Sequence, residues 1–417
     1  MVERSGGIRD GARVVLRASL GPVTTRWEVE HRDYVDGVQF RDVQRSGPFA
    51  RWSHLHRVEP EGDSASVLTD DIDFALPFGP IGALGAPVAR HQLARLFAYR
   101  HAVTAADLAR HQRHADRGTL RIAITGATGM IGSALAPFLT AGGHHVARVT
   151  RSPREAGDIA WDPERGVLDP AALEGFDAVV HLAGASIADR WTDEQRRHIR
   201  DSRVRGTTLL AATLARLARP PKVLLSGSAV GIYGDRGDEI LDEASAPGAG
   251  FLADVAREWE ASTGEAERAG IRVAHLRTGL VLTTKGGLLA KLLTPVRLGV
   301  GGPLASGRQW MSWIALDDVV GAMHHLLFAD DVRGPVNVVG PAPVTNADFA
   351  QALGRVLRRP AVAPVPAFAL RLLLGGEQAD ELALASQRVL PRVLQRSGFE
   401  FRHATVDDAL RFELGRT

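Results

Sequence analysis

Glycines spaced three residues apart after a short apolar segment constrain the fold of this chain more than any other feature of its sequence. In RIAITGATGMIGSAL, residues 121–135, Gly126, Gly129 and Gly132 follow the apolar residues 122–124 and precede an apolar helical pattern. This order predicts a strand, a tight turn and a helix. Glycines suit such a turn because a pyrophosphate must approach main-chain N–H groups closely and the helix must pack against the strand. Phosphate charge is then stabilised at the helix N-terminus.

A glycine triplet is a weak signal when taken alone, because the chain contains 44 glycines. A loop that needs glycines only for its own bends is the alternative interpretation. The strand and helix patterns on either side of the triplet argue against that alternative.

The composition is that of an ordinary folded protein. The chain has 417 residues, of which 45% are hydrophobic and 24% charged, and this length predicts two or three domains. The formal net charge of +2 gives no indication of a nucleic-acid partner. The absence of Cys excludes disulfides, thiolate nucleophiles and Cys-bound metals. Because the sequence shows no signal-like segment and no long apolar run, we expect a cytoplasmic protein without integral membrane contact.

The chain up to about residue 116 has the pattern of an antiparallel sheet followed by a helix. Leu93, Leu96 and Phe97 recur at helical spacing in RHQLARLFAYRHAVTAADLARHQ. We therefore expect a curved sheet closed by one long helix, with HADRGTL, residues 114–120, as the linker to the next domain. Consecutive antiparallel strands are predicted for five segments with approximate alternation: RVVLRASL, TTRWEVEHRDYV, VQFRDVQRS, RWSHLHRVEP and ASVLTDDIDFAL.

Part of this region resembles the helix-grip superfamily of START-like and polyketide-cyclase-like domains, in the segments GPFARWSHLHRVEP, DIDFALPFG and LFAYRH. The resemblance covers roughly the last two thirds of such a domain, and its expected first strand and small helices are missing or abbreviated. It implies an α+β helix-grip domain over residues 1–116 that holds an apolar ligand between sheet and helix. A domain that only supports or oligomerises its neighbour is the alternative.

The histidines of this region raise the question of a metal site. His111 and His114 are three residues apart on the predicted helix, but no nearby pattern supplies a third ligand. We therefore expect solvated helix residues and no metal. His54 and His56 flank Leu55 on a predicted strand, so both face the same side and are candidates to line the cavity.

From residue 119 the pattern becomes that of a doubly wound α/β protein. Strands are predicted at 121–125, 144–150, 176–184, 222–229 and 272–279, and helices at 130–142, 193–217 and 252–269. This alternation is typical of parallel strands joined by helices, which predicts a Rossmann-type sheet.

The residues at the end of the second strand indicate which nicotinamide cofactor is bound. An acid there binds the ribose 2′-OH of NAD, whereas an arginine accommodates the 2′-phosphate of NADP. The segment HHVARVTRSPRE offers Arg151, Ser152 and Arg154, and no acid at the strand end. We therefore predict NADP(H), with Arg151 as the main phosphate partner because its planar donor fork suits phosphate. A surface arginine in an Arg-rich chain is the alternative.

Small residues at the end of the strand predicted over 176–184, in HLAG, would let the backbone run close to the adenosine and ribose of the cofactor. The predicted cofactor-binding residues are Gly126, Thr128, Gly129, Met130, Ile131, Gly132, Arg151, Ser152, His181, Leu182, Ala183 and Gly184.

The motifs GATGMIG, HLAG, LLSGSAVGIYG and WIALDD together resemble the extended short-chain dehydrogenase/reductase family, and more closely its atypical epimerase-like branch. WDP at 161–163, SRVRGT at 202–207 and the C-terminal segments VPAFALRLLLGGE and SQRVLPRVLQRSGFEFRH support it. The resemblance covers about residues 119–415. It implies an NADP-binding Rossmann domain over 119–335 and a C-terminal substrate module over 336–417.

The sequence departs from this family where catalysis is expected. A typical member uses a Ser at the end of the fifth strand, a Tyr roughly 25 residues later as general acid/base, and a Lys four residues after that. Ser228 matches the serine, but Phe251 and Val255 stand at the other two positions. Neither side chain has a titratable group. Arg203 stands where a typical member has Asn.

Three functions remain open. The first is an oxidoreductase or epimerase that acts on a small molecule. In this hypothesis Ser228 or Tyr233 donates a hydrogen bond near the carbonyl, and Arg203 stabilises an oxyanion. The second is a non-catalytic NADP(H)-binding protein that senses redox state or regulates a partner. The third is a ligand carrier that acts through its first domain, with the cofactor domain as sensor. Tyr233, before Gly234, also fits a residue that only packs or caps its loop. Substrate and oligomeric state cannot be predicted.

Overall fold

The computed structural model describes residues 3–20, 23–63 and 65–416. These residues form two compact units that divide between Arg100 and His101. Within the described residues, no helix combines the length and the apolarity that crossing a membrane requires.

The first unit contains one antiparallel sheet whose six strands pair in chain order. The antiparallel strands predicted from the sequence are therefore confirmed, and a short first strand is added to them. On one face of this sheet Trp27, Phe49 and Trp52 pack with ring centroids 4.8 to 5.5 Å apart. The strands are β1 (Glu3–Ser5), β2 (Arg13–Leu20), β3 (Val23–Val35), β4 (Gln39–Ser46), β5 (Arg51–Glu61) and β6 (Ala65–Ala75).

Two helices follow the sheet, α1 (Gly79–Ala83) and the 27-residue α2 (Ala86–Gln112). The long helix predicted from the apolar spacing is confirmed. Within the first unit it packs on the sheet, since the ring of Phe97 lies 5.0 Å from that of His54. The last turns of α2, from His101 onward, belong to the second unit.

The second unit is built on an eight-stranded sheet in the order β10-β9-β8-β7-β11-β12-β14-β18, in which all neighbours are parallel except β9 and β10. The strand order reverses between β7 and β11, which is where doubly wound sheets bind their ligands. The strands are β7 (Arg121–Thr125), β8 (His145–Thr150), β9 (Ile159–Asp162), β10 (Val167–Leu168), β11 (Ala178–His181), β12 (Val223–Ala229), β13 (Ile240–Leu241), β14 (Arg272–Thr278), β15 (Leu280–Leu282), β16 (Trp310–Met311), β17 (Trp313–Ala315), β18 (Gly334–Val338), β19 (Val344–Thr345) and β20 (Arg388–Val389).

Helices cover both faces of this sheet because successive strand residues point to opposite sides. Ile122 and Ile124 join the core under α3 and α8, whereas Ala123 joins the core under α4 and α6. The Rossmann-type architecture is thus confirmed. The helices are α3 (Gly132–Ala141), α4 (Asp193–Ala215), α5 (Phe251–Ala261), α6 (Gly264–Arg268), α7 (Gly287–Arg297), α8 (Leu316–Phe328), α9 (Asn346–Leu357), α10 (Ala367–Leu374), α11 (Gly376–Ala379), α12 (Arg392–Arg396) and α13 (Val406–Glu413).

The helix predicted over 252–269 is broken into α5 and α6. Ser262 and Thr263 donate their hydroxyls to the carbonyls of Glu258 and Glu260, at 2.7 and 2.8 Å. Such back-bonding by Ser and Thr competes with the regular helix ladder, and together with Gly264 it contributes to the break.

The end of α2 from His101 onward packs within the second unit through its histidines, so the expectation that His111 and His114 are solvated is wrong. The His111 ring stacks on Phe138 at 4.2 Å and its Nε2 donates to the Phe138 carbonyl at 3.0 Å. His114 stacks on Phe328 at 4.6 Å. Burial lowers the pKa of both histidines, which keeps them neutral in this contact.

Candidate functional site

The glycine turn lies between β7 and α3, and two of its glycines are required by the surrounding backbone. Gly126 has φ +66°, and a Cβ there would lie 2.8 Å from the carbonyl carbon and oxygen of Leu182. A Cβ on Gly132 would lie 2.7 Å from the Cα of Ala127 and closer still to the Gly126 carbonyl oxygen. The turn therefore folds back on itself and on the loop after β11. It also opens α3, where the N–H of Ser133 donates to the Gly129 carbonyl at 2.9 Å and so ties the first turn of the helix to the glycine turn.

A cleft of about 870 Å³ opens at the carboxyl ends of β7, β8 and β11. It contains the strand-order reversal, so the glycine turn forms one wall and the end of β8 another. Eight of the residues predicted to bind the cofactor line it: Gly126, Thr128, Gly129, Arg151, Ser152, Leu182, Ala183 and Gly184. Met130, Ile131, Gly132 and His181 are not among the residues lining the cleft.

Arg148 and Asp158 form a charged pair at the β8 side of the cleft. The guanidinium donates two hydrogen bonds of 2.8 Å to the two carboxylate oxygens of Asp158. The same carboxylate accepts the backbone N–H groups of Arg154 and Glu155 at 2.8 and 3.0 Å. The bonds from Arg148 and from these backbone groups lower the pKa of Asp158 well below its ordinary value. This acid is therefore ionised and already bonded, whereas Arg151 and Ser152 are exposed in the cleft.

His181 is a positioning residue beneath the cleft. Its ring is fully buried between Thr125 and Thr207, with Nδ1 2.7 Å and Nε2 2.9 Å from their hydroxyl oxygens. Because the Thr125 hydroxyl also accepts the N–H groups of Leu182 and Ala183, its own hydrogen is donated to His181 Nδ1. Burial lowers the pKa of His181 to about 4, so the ring is neutral. This chain of bonds fixes the loop after β11 against β7.

Helix α4 contributes a wall of the cleft that the sequence reasoning missed. His198, Asp201, Ser202 and Arg205 all line the cleft. Their spacing of three and four residues places them on one helix face. The hydroxyl of Ser202 accepts the Ala185 N–H at 3.0 Å, which ties this face to the loop after β11. The helical spacing of Ser202 and Arg205 in SRVRGT is the sequence feature that could have predicted this wall of the cleft.

Arg203, predicted to stabilise an oxyanion, does not line the cleft. Its Nη1 donates to the carbonyls of Ala185 and Ile199, at 3.1 and 3.0 Å, and its guanidinium lies over the Trp259 ring. Burial lowers the pKa of Arg203 to about 10, so the side chain stays protonated at neutral pH. These contacts support the loop that carries Gly184.

Ser228 and Tyr233 belong to one buried network with two charged residues. The Ser228 hydroxyl donates to Glu260 Oε1 at 2.7 Å, and Glu260 receives two hydrogen bonds from Arg277, at 2.8 and 2.9 Å. Arg277 also donates to the Tyr233 hydroxyl at 2.9 Å, and Tyr233 donates to Asn337 at 2.8 Å. Both hydroxyls therefore have internal partners, and neither residue lines the cleft.

Phe251 and Val255, which the sequence resemblance places at the Tyr and Lys positions, lie in the first turns of α5. The N–H groups of Phe251 and Leu252 both donate to the carboxylate of Glu381 at 2.8 Å. The Phe251 ring lies 5.0 Å from Trp191, and Val255 is buried. A carboxylate from the C-terminal region therefore caps the helix on which a typical member carries its acid/base pair.

Comparison with known families agrees with this geometry. Residues 122–340 match the profile of the NAD dependent epimerase/dehydratase family. Residues 365–413 match a family described as a domain of unknown function, DUF1731.

Individual proteins and solved structures are also similar to this chain. An epimerase family protein of Mycobacterium bovis is 43% identical over 297 residues, which are 71% of this chain and 98% of that protein. The crystal structure of the nucleoside-diphosphate sugar epimerase from Corynebacterium glutamicum matches 99% of this chain and 82% of its own, with a TM-score of 0.79 and 34% identity. The crystal structure of human epimerase family protein SDR39U1 with NADPH matches 71% of this chain and 99% of its own, with a TM-score of 0.65 and 34% identity.

Proposed function

The chain belongs to the NAD dependent epimerase/dehydratase family, and we propose that its cleft binds NADP(H) for an oxidoreductase or epimerase reaction on a small molecule. The observation that carries the proposal is the position of Arg151 and Ser152 in the cleft, beside an Asp158 that is already bonded to Arg148. This arrangement supports a 2′-phosphate site, because an NAD site would need an unbonded acid at the end of this strand and the cleft offers an exposed arginine there. The NADPH in the human relative's structure supports this choice.

The described residues fit such a cofactor. The tight turn at Gly126 and Gly132 suits a pyrophosphate at the start of α3. Arg151 and Ser152 would hold the 2′-phosphate, and the small residues 182–184 would lie along the adenosine and ribose. When bound, the nicotinamide supplies or accepts a hydride.

Of the three predicted catalytic residues, we assign direct contact with the substrate to Ser228 alone. Its hydroxyl would turn from Glu260 to donate a hydrogen bond to a substrate carbonyl, while Glu260 stays paired with Arg277. Tyr233 and Arg203 act as positioning residues, because the Tyr233 hydroxyl both accepts from Arg277 and donates to Asn337, and Arg203 donates to two main-chain carbonyls. Ser228 differs in that its hydroxyl can leave Glu260 without breaking the pair between Glu260 and Arg277.

A second candidate is a non-catalytic NADP(H) sensor. The observation that favours it is the N-terminus of α5, where Phe251 replaces the usual Tyr and Glu381 binds the helix N–H groups. Through this contact, a change at the cofactor site would reach the C-terminal region without any chemistry on a substrate.

We further propose that residues 1–116 form a START-like helix-grip domain that binds an apolar ligand, followed by a Rossmann domain over 119–335 and a C-terminal module over 336–417. The sequential antiparallel sheet, the long helix α2 and the aromatic cluster of Trp27, Phe49 and Trp52 support the first assignment. A cytoplasmic location stays a prediction.

Turnover assays with NADPH or NADP test this function. The protein is incubated with a panel of carbonyl compounds and nucleotide sugars, and cofactor absorbance and product chromatography are followed together because an epimerisation leaves no net cofactor change. We expect turnover with at least one compound, reduced in Ser228→Ala at unchanged NADPH affinity. Tight NADPH binding without turnover, together with an oligomeric state that differs between NADPH and NADP, would favour the sensor. Failure to bind either cofactor would refute both.

A further inference from the structure

A buried cluster of histidines and carboxylates lies on the same face of the first-unit sheet as Trp52. His54 and His56 stand on β5, where they flank Leu55, and Asp42 of β4 and Asp70 of β6 pair with them across the sheet. Their side chains are nearly removed from solvent, with exposures of 4% for His54, 6% for His56, 19% for Asp42 and 2% for Asp70. The register brings all four together because Asp42 is opposite His54, and Asp70 is opposite His56.

The contacts of Asp70 indicate which nitrogen of each imidazole carries the proton. Its Oδ1 lies 2.8 Å from His54 Nε2 and 2.8 Å from His56 Nδ1. An ionised carboxylate only accepts hydrogen bonds, so both of these ring nitrogens carry the donating proton. Arg100 Nη2 lies 3.3 Å from the same His56 nitrogen, and because an arginine only donates, it competes with Asp70 for that nitrogen. We assign the proton to Nδ1 because the Asp70 oxygen is the nearer of the two, at 2.8 Å.

The other two ring nitrogens face Asp42 with their lone pairs. His54 Nδ1 lies 3.9 Å and His56 Nε2 3.1 Å from Asp42 Oδ2. Two lone pairs directed at a carboxylate in a buried site are unfavourable unless a positive charge lies between them. Protonating both histidines is also costly, because their ring centroids are only 3.8 Å apart.

A metal ion between Asp42, His54 and His56 would bind both lone pairs and the carboxylate at once. One ligand atom from each of Asp42, His54 and His56 lies within 4.8 Å of the others. Zn²⁺ binds imidazole nitrogen and carboxylate oxygen at about 2.0–2.2 Å, so one ion can reach three such atoms after small side-chain movements. Metal-bound histidines usually donate their second N–H to a carboxylate, which is the arrangement that Asp70 makes with both rings.

We propose that the first unit binds one Zn²⁺ through His54 Nδ1, His56 Nε2 and Asp42 Oδ2, with Asp70 orienting both imidazoles from outside. Three protein ligands leave a fourth tetrahedral position for water or for a ligand of this domain. The site joins β4 and β5 directly and β6 through Asp70. It revises the expectation of no metal, and it does not depend on the cofactor proposed for the second unit.

A second group of histidines does not meet the same conditions. His111, His144 and His324 also place one nitrogen each within 4.8 Å of the others. However, His144 Nδ1 accepts the Leu120 N–H at 3.1 Å, so its proton is on Nε2 and that nitrogen has no lone pair for a metal. His111 already donates its Nε2 proton to the Phe138 carbonyl. We interpret this group as a packing contact.

Metal analysis of the full-length chain tests the proposal. The purified protein is stripped with a chelator, and binding of Zn²⁺ and of Co²⁺ is measured by calorimetry, elemental analysis and the visible absorption of Co²⁺. We expect about one ion per chain, with a Co²⁺ spectrum of four-coordinate nitrogen and oxygen ligands. His56→Gln should abolish this binding. Asp70→Asn removes no ligand and should weaken it by roughly 10- to 100-fold.

Two comparisons keep the result decisive. His91→Gln changes an exposed histidine of the same unit and should bind Zn²⁺ like the parent. Near-UV circular dichroism of the tryptophans checks that each variant is folded. A folded parent that binds Zn²⁺ no better than His56→Gln would overturn the proposal. So would nitrogen NMR showing both ring nitrogens of His56 protonated at neutral pH in the presence of Zn²⁺.

Discussion

The hydroxyl of Ser228 donates a 2.7 Å hydrogen bond to Glu260, a residue 32 positions later in the chain. Glu260 is in turn paired with Arg277 on the neighbouring strand β14. The serine expected to meet a substrate carbonyl is thus held by a buried ion pair. Whether the Ser228 hydroxyl can turn toward a substrate therefore depends on how rigidly the Glu260–Arg277 pair is held.

Replacing Glu260 tests how much this pair contributes to stability. Burial opposes the ionisation of Glu260, but the bonds from Arg277 outweigh it and lower the pKa of Glu260. Glu260→Gln leaves the Arg277 charge buried without its partner, so we expect a loss of about 3–5 kcal/mol in the free energy of unfolding. Urea denaturation measures it. Glu265→Gln, an exposed change on α6, should stay within about 0.5 kcal/mol of the parent. Equal stability of the two variants would show that the pair is not fixed.

Arg151 should decide between the two cofactors. Arg151→Asp removes the exposed donor fork and adds an acid that can accept a ribose hydroxyl, so NADPH affinity should fall by more than tenfold while NADH affinity rises or stays equal. Fluorescence titration gives both dissociation constants. Arg333→Asp makes the same charge change just before β18, away from the cleft lining, and should alter neither constant. A parallel loss for both cofactors would contradict the assigned role.

Gly132 should tolerate no side chain. In Gly132→Ala the new Cβ meets backbone atoms of Gly126 and Ala127, which cannot move without opening the turn. We expect at least a tenfold loss of NADPH affinity, which corresponds to about 1.4 kcal/mol. Gly376→Ala is the matched control because, among the described residues, no heavy atom outside its own helix and chain neighbours lies within 4 Å of a Cβ built there. Unchanged binding in Gly132→Ala would indicate that the turn does not form the phosphate site.

Glu413 should make stability depend on pH. Burial and the nearby Asp317 raise the pKa of Glu413 to about 8, from an ordinary value of 4.5. The folded state therefore keeps a proton that the unfolded chain releases above pH 4.5, so stability falls as pH rises from about 4.5 to 8. Glu413→Gln should remove this part of the dependence. Urea midpoints at pH 5 and pH 8.5 measure it, with the exposed Glu400→Gln as control. A variant whose midpoint changes with pH as much as the parent's would contradict the shift.

The sequence predicted the parts of the fold that depend on local patterns. The strand 121–125 coincides with β7, and the alternation along β2 to β6 predicted the antiparallel sheet. β9 and β10, around the WDP segment, were not predicted as strands because they are short and lack a long apolar run. The break between α5 and α6 depends on hydroxyl back-bonding, which periodicity does not show.

The candidate site was predictable where it follows strand ends, and not where it depends on tertiary contacts. Gly126, Gly129, Arg151 and Gly184 line the cleft, in agreement with their positions after β7, β8 and β11, whereas Gly132 does not. The burial of His181 between Thr125 and Thr207 requires residues 26 to 56 positions apart to meet. The same holds for Asp42 and His54, which only the strand register brings together.

The most direct test of the account is a titration of the parent protein with NADPH and with NADH under identical conditions. The cleft with Arg151 exposed and Asp158 bonded to Arg148 should bind NADPH at least tenfold more tightly than NADH. Equal affinity for the two cofactors, or tighter binding of NADH, would contradict it.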